Sequence, residues 1–438
     1  MSQQPQQTEQ PDQLQRELGI FGAVMMGLGS IVGTGIFVSV GISAGAAGAA
    51  VILAIAIAAG VATCNGLNSA QLAASHPVSG GTYEYGYRYL NRRLGFTAGW
   101  MFLLAKSASA ATAALGFAGY LLDALNIDDT RLLVPLALAA VAAFTIIVLT
   151  GIRRSNTTNT LIVSLTLFTL AVFIVTGIPS IRTENFTPFF AAPDGGNTLQ
   201  GLLQAAALMF VAYTGYGRIA TLGEEVNDPA RTIPRAMIIT LLVTMVLYMA
   251  VAVVGVGSVG AEVLSGAAQT ETAPLEAAAS TFGLPGVPQL IAIGAVTAML
   301  GVLLNLILGL SRMLLAMGRR GDMPALFGRL NASGTTPTAA VIMMGVVIAG
   351  LVLVGNVRTT WSFSAFTVLI YYAITNLAAL RLSDSERLFP KAIAWIGLAA
   401  CLFLAFWVDV QIWILGLVLI AAGLIWQEIA HRVGHRPA

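Results

Sequence analysis

Two short glycine-flanked segments are the places in this 438-residue chain where the backbone itself could do chemistry. One is Gly33-Thr34-Gly35, inside the stretch Gly27 to Phe37. The other is Gly215-Tyr216-Gly217, inside the stretch Phe210 to Arg218. Both lie in long apolar runs. Glycine costs about 1 kcal/mol relative to alanine inside a helix, so two glycines one residue apart invite local unwinding. In an apolar medium, unwound backbone persists only where it lines a cavity or is covered by protein. A half-helix starting near Gly35 aims unpaired N–H groups at the break, which suits a carboxylate. A half-helix ending near Tyr213 and Thr214 presents unpaired carbonyls, which suit an ammonium. The pair predicts non-covalent recognition of a zwitterion. The competing use of these glycines is close helix packing of the small-xxx-small kind.

Ionisable groups within the apolar runs add a second layer. Lys106 lies about ten residues past Phe96, roughly 15 Å along a helix at 1.5 Å per residue, near the middle of a bilayer core about 30 Å thick. A lysine there costs at least about 2.5 kcal/mol on insertion scales. It is expected either to take up a proton or substitute for a coupling cation, or to be a structural tie. Arg218 follows the second glycine pair, and Glu224 and Glu225 come two turns later. Together they predict an ion-pair gate or a static cluster at the helix end. Asn305, at mid-depth in the eighth run, either reaches the substrate or the ion-equivalent site or, as expected of most such residues, bonds a neighbouring helix. Cys64 and Cys401 lie in separate apolar runs and are expected to be small core residues. There is no clustered ligand set for a metal, no nucleophile with a base, and no Walker-type loop, so no cofactor, metal or enzymatic role is expected.

The elements that must position these residues follow from composition. Of the chain, 57% is hydrophobic and only 10% charged, against roughly 25% charged in soluble domains. Its solvent must be lipid. Twelve apolar runs are long enough to span: 20–43, 49–74, 95–122, 132–151, 158–179, 200–223, 235–257, 288–317, 337–355, 361–381, 390–407 and 410–430. The connections between them are brief, the longest being 180–199 and 258–287. Residues 1–18 read as a disordered cytoplasmic tail, 19–431 as one transmembrane domain, and 432–438 as a second cytoplasmic tail. The first residues have no basic start followed by an apolar core, so no signal peptide is expected. With both ends inside the cytoplasmic membrane, sixteen Lys and Arg fall on the inner side. Three (Arg131, Arg182 and Arg358) fall outside, and Lys106, Arg218 and Arg312 fall within or at the ends of spans. That asymmetry fixes orientation. No basic patch with interleaved aromatics points to nucleic acid.

The first and sixth runs occupy matching places if the first ten are two sets of five. Five is odd, so the second set starts from the opposite side, which is the arithmetic of an inverted repeat. The repeats would be about 19–179 and 199–382, with two extra helices at 390–431. Paired interrupted helices at such positions point to a transporter's binding site. The expectation is an all-α membrane protein of twelve helices, with spans one and six discontinuous.

Four motifs resemble the amino acid–polyamine–organocation superfamily of transporters, which has the leucine-transporter fold. They are Gly29-Ser-Ile-Val-Gly-Thr-Gly-Ile-Phe-Val38, Pro77-Val-Ser-Gly-Gly-Thr-Tyr-Glu-Tyr85, the segment from Tyr213 through the Gly-Glu-Glu of Glu224 and Glu225 to Ala236, and Ser311 to Pro324. The last four runs match only in length and apolarity. The resemblance implies that Ser30, Ile31, Gly33, Thr34 and Gly35 surround a substrate's carboxylate and amine. It implies that Phe210, Val211, Tyr213, Thr214 and Gly215 supply the facing wall, with Phe210 or Tyr213 as an aromatic gate. Some proton-coupled members hold a lysine in the fifth span; here that span has Thr160, Ser164, Thr166 and Thr169 instead, so the role does not pass to Lys106 by position. The implied activity is alternating-access transport of an amino acid. The lack of an acidic residue at mid-span near the site points to a neutral one, and Lys106 points to protons as the coupling ion. The alternatives are an uncoupled exchanger of amino acids or polyamines and a non-transporting sensor.

Overall fold

The computed structural model describes residues 18–77, 80–127, 129–151, 156–190, 197–220, 226–269, 273–332, 334–354 and 356–434. Among them there is no strand, only an isolated bridge between Leu18 and Val226. Among the described residues eight helical stretches are long and apolar enough to cross a membrane. Three more apolar helices, Ile20–Ile31, Thr338–Val352 and Lys391–Ala405, are shorter. The chain is a multi-pass helical membrane protein.

In chain order the helices begin with α1 (Ile20–Ile31), α2 (Thr34–Phe37), α3 (Ser39–Ala47) and α4 (Val51–Ser75). Then come α5 (Thr82–Tyr85), α6 (Arg92–Ala124), α7 (Leu133–Leu149) and α8 (Asn156–Gly177). The middle holds α9 (Thr198–Tyr213), α10 (Gly217–Ala220), α11 (Pro229–Gln269), α12 (Pro274–Ala279) and α13 (Val287–Arg320). The last are α14 (Thr338–Val352), α15 (Val357–Leu380), α16 (Lys391–Ala405) and α17 (Val410–Gly434). The long central helices start on side-chain caps. The Asn91 carbonyl accepts from Leu94 N at 2.9 Å, and that of Asn356 from Thr359 N at 2.9 Å, satisfying donors that a helix start leaves open. α11 outruns its predicted span. It bends at Gly260, whose φ of 82° is the left-handed backbone glycine tolerates, and the 258–287 connection is largely helical.

Burial sorts the helices into centre and rim. The most apolar windows of α15 and α6 are 83% and 78% buried, whereas that of α17 is 22% buried. On rim helices large apolar side chains face outward, among them Leu161, Val175 and Val346, as lipid permits and water would not. The two central helices are zipped together by hydroxyl pairs. Ser109 and Ser364 lie 2.8 Å apart and Thr112 and Thr360 2.8 Å apart, while the Ser364 hydroxyl donates to Ala105 O at 3.0 Å. This zipper fixes the turn of α6 that carries Lys106.

A buried amide ladder anchors α15 on its other side. Asn68 Nδ2 donates to Asn376 Oδ1 at 2.7 Å, and Asn376 Nδ2 to Asn65 Oδ1 at 2.6 Å. Gln71 Nε2 donates to Asn68 Oδ1 at 2.9 Å, and Asn65 Nδ2 reaches the Cys401 sulfur at 3.1 Å. Both cysteines are free thiols; Cys401 is buried and Cys64 half-buried. Asn376→Ala strands two buried amides of α4. We expect a loss of about 1–3 kcal/mol, seen as a lowered midpoint in thermal unfolding of the detergent-purified protein, with the site itself unaltered.

Candidate functional site

The site is built where α1 stops. Val32 leaves the helix at φ −81°, ψ 96°, Gly33 is extended at φ −173°, and α2 resumes at Thr34. The Gly33 carbonyl accepts from Ile36 N at 3.0 Å and Phe37 N at 3.1 Å. The N–H groups of Thr34 and Gly35, first in the resumed helix, have no intrahelical acceptor. Thr34 Oγ1 is buried without a hydrogen-bond partner among the described residues.

The second segment behaves differently from the expectation. α9 ends at Tyr213, but the chain continues through a 3₁₀ turn, Thr214–Tyr216, directly into α10. Thr214 and Gly217 keep right-handed helical angles. The helix tightens where unwinding was expected, because side-chain hydroxyls and an indole N–H take up its carbonyls. Thr214 Oγ1 donates to Val211 O at 2.8 Å, Tyr372 donates to Thr214 O at 3.2 Å, and Trp361 Nε1 donates to Leu208 O at 3.0 Å. The Tyr248 hydroxyl lies 2.9 Å from Ile31 O and 3.1 Å from Ala212 O. One tyrosine of α11 thus joins the end of α1 to the end of α9.

The glycines have a packing role as well. A Cβ on Gly215 would run into the backbone carbonyl of Ser30 and lie 2.6 Å from Ile31 Cγ1. A Cβ on Gly35 would lie 2.8 Å from Ala212 Cβ and 2.8 Å from the Tyr248 hydroxyl. Each glycine admits the other segment's backbone, so the two segments touch at both ends of the junction.

Two cavities meet there. The smaller, about 40 Å³, is lined by Ser30, Ile31, Thr34, Gly35, Ser109, Val211, Ala212 and Trp361, and exceeds the roughly 10–15 Å³ a single water needs. The larger, about 220 Å³, runs along one face of α13, from Val302 through Asn305, Gly309, Arg312 and Met313 to Ala316. It is closed elsewhere by Phe102, Tyr371, Tyr372, Arg218, Gly80 and Gly81. Lys106, Thr214, Gly215, Ser30, Val302 and Leu306 line both. Lys106 Nζ donates to Thr214 Oγ1 at 2.9 Å. Among the described residues no carboxylate lies within ion-pair distance of it.

Most of the sequence-derived site residues converge, and three do not. Gly33 lines neither cavity; it packs on Val302 of α13. Phe210 and Tyr213 are fully buried behind the wall. Phe210 meets Tyr372 edge-on, with ring centroids 5.7 Å apart, and Tyr213 packs on Tyr248 at 5.2 Å. The aromatics facing the cavities are instead Trp361, Tyr371, Tyr372 and Phe102. Arg218 lines the larger cavity; Glu224 and Glu225 lie outside the described residues. At the far end, two sequence motifs meet. Tyr83 and Tyr87 donate to the Asp322 carboxylate at 2.7 and 2.6 Å, and Arg320 pairs with Glu84 at 2.5 Å.

The model of the amino acid permease family matches residues 22–430. The chain belongs to the amino acid permease family. This permease is 40% identical over 398 residues to an uncharacterized transporter of Mycobacterium tuberculosis, covering 90% of this chain and 87% of that one. It is 28% identical to a branched-chain amino acid permease of Bacillus subtilis, covering 95% and 91% of the two chains. A solved manganese transporter from Eremococcus coleocola has the same fold, with a TM-score of 0.63 at 14% identity, over 94% of this chain and 95% of that one. The superfamily resemblance carried by the four motifs therefore holds over nearly the whole permease.

Proposed function

We propose that this permease is a secondary carrier that moves a neutral amino acid with an apolar side chain by alternating access. The observation behind this is the junction of the two cavities at the glycine contacts between α1–α2 and α9. The substrate carboxylate meets the N–H groups of Thr34 and Gly35 and the unpartnered Thr34 hydroxyl in the small cavity. Its ammonium approaches carbonyls of α1 and α9; each carbonyl has two lone pairs, so the Tyr248 hydroxyl does not use them up. The side chain extends into the larger cavity, against Val302, Leu306, Tyr371 and Tyr372. That cavity presents Lys106, Arg218 and Arg312 and, among the described residues, no carboxylate, which disfavours a cationic side chain.

In this reading α1 with α2 and α3 forms the first of twelve spans, and α9 with α10 the sixth. The two five-span repeats cover about 19–179 and 199–382, and both chain ends lie on the cytoplasmic face of the cytoplasmic membrane. Lys106, at the seam between the cavities, takes the coupling proton. Arg218 with Glu224 and Glu225 closes the inner path. The purified permease in liposomes should show saturable counterflow of leucine-like amino acids, competed by neutral and not by cationic analogues, and driven further by a proton gradient. Binding without counterflow would make it a sensor. Counterflow that ignores the gradient would make it an uncoupled exchanger.

A further inference from the structure

A short helix covers the end of the bundle opposite α5, and it carries a buried acid. α12 sits over α3: a Cβ on Gly41 would lie 2.9 Å from Pro274 Cγ and 2.8 Å from Leu264 O. Tyr120 of α6 fastens it. The Tyr120 hydroxyl donates to Phe37 O at 2.7 Å and accepts from Leu275 N at 3.3 Å. One phenol therefore joins α12 to the last residue of α2, just beyond the small cavity. Next along α12 is Glu276, only 7% exposed, with its Oε2 lacking a hydrogen-bond partner among the described residues. One helical turn past Tyr120 stands Asp123, whose carboxylate acts on Glu276.

We propose that Glu276 is a proton-binding site that controls this cover: protonated, it seats α12 against α6; ionised, it lets α12 lift. Among the described residues no salt bridge reaches Glu276. From α6 the groups facing Glu276 are Tyr120 and Asp123. α11 packs against α12, and its Glu262 is exposed. The first turn of α13 contains no acidic residue, and the turn after α12 contributes Ser280 and Thr281. Glu271 lies outside the described residues. Burial, and then repulsion from Asp123, push the Glu276 carboxyl up to about 8 from 4.5. The seated form therefore binds the proton more tightly than a lifted, hydrated form does. Seating is strongest below the ordinary carboxylate range, weakens as pH rises, and stops changing above about 8. That the cover closes a substrate path rests on the carrier reading; the proton switch itself does not.

The test is hydrogen–deuterium exchange of the purified permease, following the peptide that spans 273–283, with rates corrected for the intrinsic pH dependence of exchange. The opening rate of the unmodified protein should rise about tenfold per pH unit between pH 6 and 8 and then level off. Glu276→Gln, which mimics the protonated acid, should be flat and protected throughout. Asp123→Asn should keep the rise but level off at lower pH, because the repulsion is gone. A corrected profile that is flat in the unmodified protein, or identical in the unmodified protein and Glu276→Gln, overturns the proposal. Should Glu276→Gln misfold, the direction of the Asp123→Asn shift decides. Counterflow measured on the same samples reports on transport separately.

Discussion

Gly215→Ala is expected to cut uptake by about 10- to 100-fold while the protein still folds and reaches the membrane. The added methyl has no room, since the atoms in its way are the carbonyl carbon and oxygen of Ser30, together with Ile31 Cγ1. A flexible side chain could swing aside; a backbone carbonyl cannot. The end of α1 and the 3₁₀ turn after α9 must separate, at the 1–3 kcal/mol typical of overpacking a core. The separation falls across both cavities, because Ser30 and Gly215 line each of them. It also stretches the Tyr248 bridge between Ile31 O and Ala212 O. Radiolabelled uptake normalised to membrane-inserted protein checks this. A Gly215→Ala protein that transports normally would show that the junction tolerates separation. In contrast, Gly266, whose Cβ would meet nothing within 4 Å, should accept alanine silently.

Lys106→Gln is the second large effect. We expect uptake to fall by about 10-fold or more and its response to pH to flatten. Among the described residues Lys106 is the one basic side chain lining both cavities, and its hydrogen bond to Thr214 Oγ1, at 2.9 Å, is made by the turn that ends α9. A hydrogen bond to a charged group is worth about 1.5–3 kcal/mol. Glutamine keeps a donor at a similar reach but cannot gain or lose a proton. Lys106→Arg keeps the charge and so separates charge from protonation: a glutamine protein with a normal pH profile would end the coupling role. Uptake between pH 5.5 and 8.5, at saturating and subsaturating substrate, gives both numbers.

Much of this arrangement is legible in residues. The apolar runs locate the long helices, since a lipid-facing helix has no polar face to disguise it. The first glycine pair locates the break to within a residue or two, Val32 and Gly33 being the ones that leave helical geometry. The second pair misleads about conformation. Unwinding there is pre-empted by Thr214, Tyr248 and Tyr372, two of which come from distant helices and have no local signal. For the same reason Phe210 and Tyr213 read as gates: their proximity to the glycines is visible, but the helical phase that turns their rings toward Tyr372 and Tyr248 is set by packing. Trp361, Tyr371 and Tyr372 belong to a stretch whose motif match is only apolarity, and Glu276 sits in what reads as a plain connection. Long-range neighbours decide all four.

The tyrosine that joins the end of α1 to the end of α9 has one hydrogen and two carbonyls within reach. Those oxygens compete for it. If α1 slides relative to α9, the hydroxyl can give its whole bond to whichever oxygen stays near, so the displacement forfeits only the weaker share of a bond worth about 1 kcal/mol. This hydrogen bond by itself therefore opposes such a slide only weakly. A phenylalanine there would leave both oxygens bare, and a second donor would freeze them in place. The single shared proton sets a tension between holding and releasing that neither alternative could provide.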